Sequence, residues 1–309
     1  MKQINKYKIL PFLLFLFAAS TLKAQQEPQY TQYMYNMSVV NPAYAGSKDA
    51  LSLGALARQQ WVGVSGAPGT FTAFIHGPVG RNVGLGLSVI SDQIGPVKET
   101  NAYADFSYTI RTSEESKLAF GLKAGFTFQN IGLLSLTQVS PNDPLFNENV
   151  DETYPNIGAG AFYYTDDLYI GLSIPNILKS KHFEKNNGII TNASEEMHTF
   201  FTAGMVFDLS ENVKFKPSML TKFAFHTPVS VDVSANFLFM DRFELGASYR
   251  WDDSVSGLIN VLVTDTLRVG YAYDHTVSNL GLFNSGSHEV FMLFDFSFSR
   301  SNVRSPRFF

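Results

Sequence analysis

Along KLAFGLKAGFTFQ, residues 117–129, every second position is apolar: Leu118, Phe120, Leu122, Ala124, Phe126 and Phe128. The intervening residues Ala119, Gly121, Lys123, Gly125, Thr127 and Gln129 are small, polar or charged. Successive side chains of a β-strand point to opposite faces, so this spacing predicts a long strand with one greasy and one polar side. The same alternation recurs in NVGLGLSVISD from Val83, in DLYIGLSIP from Leu168 and in PVSVDVSANFLFM from Val229. It returns in RFELGASYRWD from Phe243, in TLRVGYAYD from Leu267 and in SHEVFMLFDFSFSR from Val290.

Turn-rich strings separate these runs. MDR, TDT, TDD, LSEN and WDDSV are short enough to join antiparallel neighbours as hairpins. Longer polar links fall at 133–154, 176–195 and 277–287. The pattern predicts strands at 50–60, 69–77, 82–92, 97–111, 117–129, 155–165 and 167–175. It continues with 196–208, 212–224, 228–239, 242–252, 255–264, 266–275 and 287–300. These are about fourteen segments of roughly nine to fifteen residues, long enough to cross a bilayer tilted, whereas soluble strands peak near five or six.

The second face separates two architectures. A soluble sandwich would turn Lys and Glu outward to water, but here that face is mostly Gly, Ala, Ser and Thr, and charged residues make up only 16% of the chain. Lipid outside and a polar lumen inside fit better, with closure removing the unpaired edges that hydrocarbon does not tolerate. The expected fold is all-β: a closed antiparallel transmembrane barrel of about fourteen strands, residues 50–300. Lys123, Lys214, Lys216, Lys222, Arg250 and Arg268 would face inward with Asp105, Asp232, Glu244, Asp274 and Asp295. Mixed signs suggest a lumen crossed by ion pairs rather than a single-sign selectivity ring. Tyr103, Tyr108, Tyr163, Tyr164, Tyr169, Tyr249, Trp251, Tyr271 and Tyr273 are candidates for interfacial girdles.

The start of the chain reads as an address. Lys2, Lys6 and Lys8 precede an apolar run from Ile9 to Ala19, too short to span a bilayer as a helix, and Ala24 follows. Residues 1–24 are therefore expected to be a cleaved signal peptide, although Leu22 departs from the usual small residue. Residues 25–49, with Tyr30, Tyr33, Tyr35, Asn41, Pro42 and Tyr44, are not strand-like. They are expected to pack in or under the barrel as a plug-like segment. Residues 301–309 form a tail in which Phe309 would serve assembly, or the basic Arg307 region would dock a periplasmic partner.

Among 309 residues there is no cysteine, and the six histidines show no metal-ligand spacing. A net charge of −4 gives no sign of a nucleic-acid binder. GVSGA at residues 63–67 departs from a nucleophile elbow at Ala67 and reads as a hairpin. No catalytic group or cofactor site is expected. Arg58, Gln60, Trp61 and Pro68 around the first hairpin are candidates for roles beyond folding. Trp61 would anchor a partner or sit in the girdle, and Arg58 would meet a partner or the plug.

PQYTQYMYNMSVVNPAYAGS, RQQWVGVSGAPGTFTAF and GLGLSVISDQIGPVKETNAYADFSYTI resemble the PorP/SprF family of outer-membrane proteins from the type IX secretion and gliding machinery of Bacteroidota, as do LAFGLKAGF and the terminal SPRFF. The resemblance implies a non-enzymatic barrel in the outer membrane. It would support export or surface anchoring of large cargo proteins with C-terminal secretion domains, alongside periplasmic type IX components. The alternative reading is a passive porin or small-solute transporter.

Overall fold

The computed structural model describes residues 28–135, 148–178, 181–186, 189–194, 197–225 and 227–297. The expected signal peptide and the tail with Arg307 and Phe309 lie outside the described residues.

The first seven strands are β1 (Ala50–Gln59), β2 (Gly69–Pro78), β3 (Val83–Ile94), β4 (Val97–Arg111), β5 (Lys117–Ile131), β6 (Val150–Tyr164) and β7 (Leu168–Ile174). They form an antiparallel meander in which each strand pairs with the next. After a small hairpin of β8 (Lys181–Asn186) and β9 (Ile189–Ser194), β10 (His198–Met205) and β11 (Phe207–Ser210) follow as one wall strand interrupted at Val206. Both pair with β12 (Val213–Ala224). The meander then runs through β13 (Ser230–Phe239), β14 (Phe243–Arg250), β15 (Ser254–Leu262), β16 (Leu267–Thr276) and β17 (Ser287–Ser297). β10 also pairs with β7, and β17 with β1, so the sheet closes into a barrel of 14 strands.

Burial is inverted relative to a water-soluble protein. Leu122 is 62% exposed and Phe120 50%, while Lys123, the next residue after Leu122, is 2% exposed. The same reversal holds on β14, where Leu245 faces out and Glu244 is buried. Such a surface suits acyl chains outside and a polar interior, the expected arrangement. Tyr108 and Tyr163 reach the outer face near one rim, and Tyr249, Trp251, Tyr271 and Tyr273 nearer the other. Tyr103, Tyr164 and Tyr169 are a correction to the girdle: all three are buried and point inward.

The two rims differ. Where β1 begins and β17 ends, every link between strands has two to five residues. At the opposite rim four of the seven links, 60–68, 132–149, 175–197 and 277–286, are longer, while 95–96, 225–229 and 251–253 stay short. In outer-membrane barrels short turns face the periplasm and longer loops the exterior, which orients this one. Two boundaries shift from the sequence reading. β6 starts at Val150, inside the expected 133–154 link, and the hairpin β8–β9 lies within the expected 176–195 loop.

Candidate functional site

Residues 28–48 occupy the lumen. Tyr33, Tyr35, Asn41, Pro42 and Tyr44, all singled out from sequence, are buried there. The segment folds into a 3-10 turn at Tyr33–Tyr35, one α-turn at Met37–Val40 and a second 3-10 turn at Pro42–Tyr44. The last is written in the sequence Asn-Pro. Asn41, preceding proline, is extended (φ −137°), Pro42 starts the turn, and the Asn41 side chain accepts the Ala43 N–H at 3.0 Å. Asn41 Nδ2 in turn donates to the Ala161 carbonyl on β6 at 3.0 Å.

This end of the segment sits on a wall of β3–β7 that glycines have cleared. A Cβ at Gly121 would overlap the Ala43 backbone, one at Gly160 the Asn41 side chain, and one at Gly84 the Ala45 carbonyl. Ser173 donates to the Val40 carbonyl at 2.8 Å and Ser107 to that of Ala45. Gly84 and Gly160, glycines inside strands, thus serve as seats for the plug.

The other end is gripped by charge at the long-loop rim. Arg58 Nη2 reaches Asp274 Oδ2 at 2.7 Å, and Nη1 reaches Glu289 Oε2 at 3.2 Å. Arg58 also donates to the Thr31 hydroxyl at 2.9 Å, which donates onward to Asp274 at 2.7 Å. Glu289 accepts two successive backbone N–H groups, from Thr31 at 2.9 Å and Gln32 at 2.7 Å. All these side chains are buried, so the charges are compensated by one another and by the plug backbone rather than by water.

Further pairs staple the lumen: Lys123 with Asp105 at 3.0 Å, Arg250 with Asp232 at 2.7 Å, and Lys216 with Glu244 at 2.9 Å. Tyr35 donates to Glu244 at 2.7 Å and stacks on Phe291, with ring centroids 4.3 Å apart. Tyr33 donates to Ser218 at 3.0 Å. Tyr44 packs edge-on to His76 and Phe162. At the short-turn rim Lys48 meets Asp295 at 3.1 Å, just before the chain enters β1. Of the charges expected inward, Lys214 differs: it pairs with the exposed Asp241 at the rim, at 2.8 Å.

Arg58 thus joins the plug contacts. Gln60 and Pro68 instead close the first link, where the Gln60 N–H donates to the Pro68 carbonyl at 2.9 Å. Trp61 is half-buried in that link at φ 43°, a left-handed conformation that a bulky residue adopts only under constraint. Its backbone N–H donates to Ser287 Oγ at 3.2 Å, and Val62 exchanges backbone bonds with Ser285 and Gly286, tying this link to the 277–286 link. Sequence reasoning missed Glu289, Thr31, Gln32 and Lys48. Glu289 was findable, because it alternates with the outward Val290 and so must face the lumen.

The family described as "Type IX secretion system membrane protein PorP/SprF" matches residues 22–294. No curated protein sequence matches the chain. Among solved structures, the CymD monoaromatic hydrocarbon channel is similar with a TM-score of 0.51 and 13% identity, over 87% of this chain and 93% of that one. A Pseudomonas aeruginosa FadL homologue follows at 0.49 and 12% identity, over 88% and 95% of the two chains. The Acinetobacter baumannii outer-membrane protein Omp33 gives 0.47 and 9% identity, over 81% and 98%. At these identities the likeness is one of fold.

Proposed function

The chain belongs to the PorP/SprF family of type IX secretion membrane proteins, and from that premise we propose that this outer-membrane barrel is a docking scaffold. It supports export or surface anchoring of specific large cargo proteins through protein–protein contact with the cargo's C-terminal secretion domain and with periplasmic type IX components. It performs no catalysis of its own.

The observation that carries this reading is the filled lumen. Residues 28–48 are buried along it and bonded to both halves of the wall, so a folded cargo cannot pass through the barrel. A component of a secretion apparatus whose lumen is occupied acts through its surfaces. The long-loop rim supplies one such surface, where the links 60–68 and 277–286 are stitched together and carry Trp61, with the exposed Leu282 and Phe283. Large aromatic and apolar side chains on a held backbone are typical anchors of interfaces. Deleting the protein is expected to remove one cargo from the cell surface, measured by surface proteomics. Unchanged display of every type IX cargo would refute the proposal.

A second reading, a passive channel, draws on the fold shared with the CymD channel. It predicts steady conductance of the purified barrel in planar bilayers, which the docking reading does not.

A further inference from the structure

The register row that carries Arg58 runs on around the long-loop mouth. Arg58 on β1 pairs with Thr70 on β2, Thr70 with Asp92 on β3, and Asp92 with Glu99 on β4. Glu99 then pairs with Gln129 on β5, and Gln129 with Glu152 on β6. Alternation puts these side chains on the lumen face. Ile90, Asn101, Thr127 and Asn156, an even number of residues away on the same strands, are buried there. Three carboxylates thus share one row of four adjacent strands. The row's cation, Arg58, is already committed to Asp274 and Glu289. Like charges directly opposite one another, as Asp92 and Glu99 are, destabilise a sheet.

A second feature lies within the row. Gln129 is 4% exposed, and its Oε1 is buried without a hydrogen-bond partner. By register it is flanked by Glu99 on one side and Glu152 on the other. An ionised carboxylate has no hydrogen to donate, so neither neighbour can satisfy this oxygen, whereas a cation held between them would serve all three. Asn101, one inward position below, donates to Glu99 at 2.7 Å, and Thr70 donates to Asp92. Among the described residues no three acidic, histidine or cysteine side chains converge on one point. The set placed to converge is therefore two carboxylates and one amide oxygen.

We propose that Glu99, Gln129 and Glu152 form a site for a hard divalent cation of the calcium class, on the inner wall of the exterior mouth. All three offer oxygen alone, the donor set of calcium rather than of zinc or copper. Adjacent strands lie about 4.8 Å apart, so the two glutamates start from backbones roughly 10 Å apart. Side chains leaning over Gln129 close that span around an ion with oxygens at about 2.4 Å. Magnesium demands a stricter octahedron and suits so adjustable a set less well. Glu99 and Glu152 are half-buried, so the site is reachable from the mouth, and water completes the shell. Bound there, the ion ties the exterior ends of β4, β5 and β6, each 15 residues long. The site is a property of the barrel alone and does not rest on the secretion reading.

The test uses the purified full-length protein in detergent, stripped with a chelator, and terbium(III) as the luminescent probe. Tyr154, two residues from Glu152 on the same face, is placed to sensitise it. The native protein is expected to give saturable emission that calcium chloride displaces. Glu99→Gln combined with Glu152→Gln should weaken terbium binding at least tenfold. Gln129→Glu adds a third carboxylate and should tighten it about tenfold, since ligand charge tunes such sites and a loss of folding cannot mimic a gain. Glu114→Gln combined with Glu115→Gln, exposed acids at the opposite rim, should leave binding unchanged. Heat-modifiable migration on gels verifies that each variant has folded. No saturable emission from the native protein, undiminished binding by the folded Glu99, Glu152 variant, or no tightening by Gln129→Glu would each overturn the proposal.

Discussion

Arg58 on β1 stands directly opposite Glu289 on β17, in register across the seam where the first and last strands meet, and its Nη1 lies 3.2 Å from Glu289 Oε2. The pair therefore lies both on the closure of the barrel and on the grip that holds Thr31 and Gln32.

Arg58→Ala should leave Glu289 and Asp274 buried without their cation. Removing one partner of a buried pair costs about 3–5 kcal/mol. The folded fraction on heated gels should fall at a markedly lower temperature than for the native protein. Arg58→Lys should recover only part of the loss, because a single ammonium cannot reproduce the forked bonds to Asp274, Glu289 and Thr31.

Gly121→Leu should unseat the plug without preventing closure of the barrel, since any side chain there meets the Ala43 backbone. Limited proteolysis is expected to cut within residues 28–48 of the variant and spare the native protein. Gly257→Ala, at a position with nothing within 4 Å of an added Cβ, should behave as native. Equal protection of both variants would mean that the segment has another seat.

Lys123→Met should destabilise the barrel by isolating Asp105, while Lys123→Met combined with Asp105→Leu should restore most of the loss. Denaturant midpoints of the two single variants and the double variant give the coupling energy. Additive losses would mean that the 3.0 Å pair contributes nothing as a pair.

Leu122→Arg should impair membrane folding by about 2–4 kcal/mol, the range for a cation at mid-depth on the lipid face of a barrel. Folding yield into vesicles reads this out. Ser256→Arg, on the lumen side, tests the inner face separately and should clash with packing rather than with lipid.

An epitope inserted after Phe283 should be stained on intact cells, and one inserted after Asp241 only after permeabilisation. The first lies in a link at the long-loop rim and the second in a turn at the other. The opposite staining would invert the orientation.

All the wall strands were legible in the sequence because lipid demands an apolar outer face from each of them, and that demand imprints a period of two. Inward charges such as Lys123 and Arg250 followed from the same parity. Misreadings arose where position was preferred to parity. Tyr103 shares the parity of Asn101 and Asp105, and Tyr169 that of Gly171, so both had to face the lumen whatever their distance from a strand end. The plug announced itself through its aromatic residues and Asn-Pro turn, but its seats did not. Gly121 and Ala43 meet only through closure, and Glu289 reaches Thr31 across 258 positions of sequence. The hairpin β8–β9 escaped because KHFEKNNGIITNAS is polar on both alternations through most of its length.

The chain threads its own bore, with residues 29–32 near the exterior mouth and Lys48 near the periplasmic one, and the wall is zipped shut by β1 against β17. The cylinder cannot be completed until its final ribbon has been synthesised. Its earliest residues must therefore already be lying in place, or be drawn in through an open end afterwards, and the casting is poured around its core.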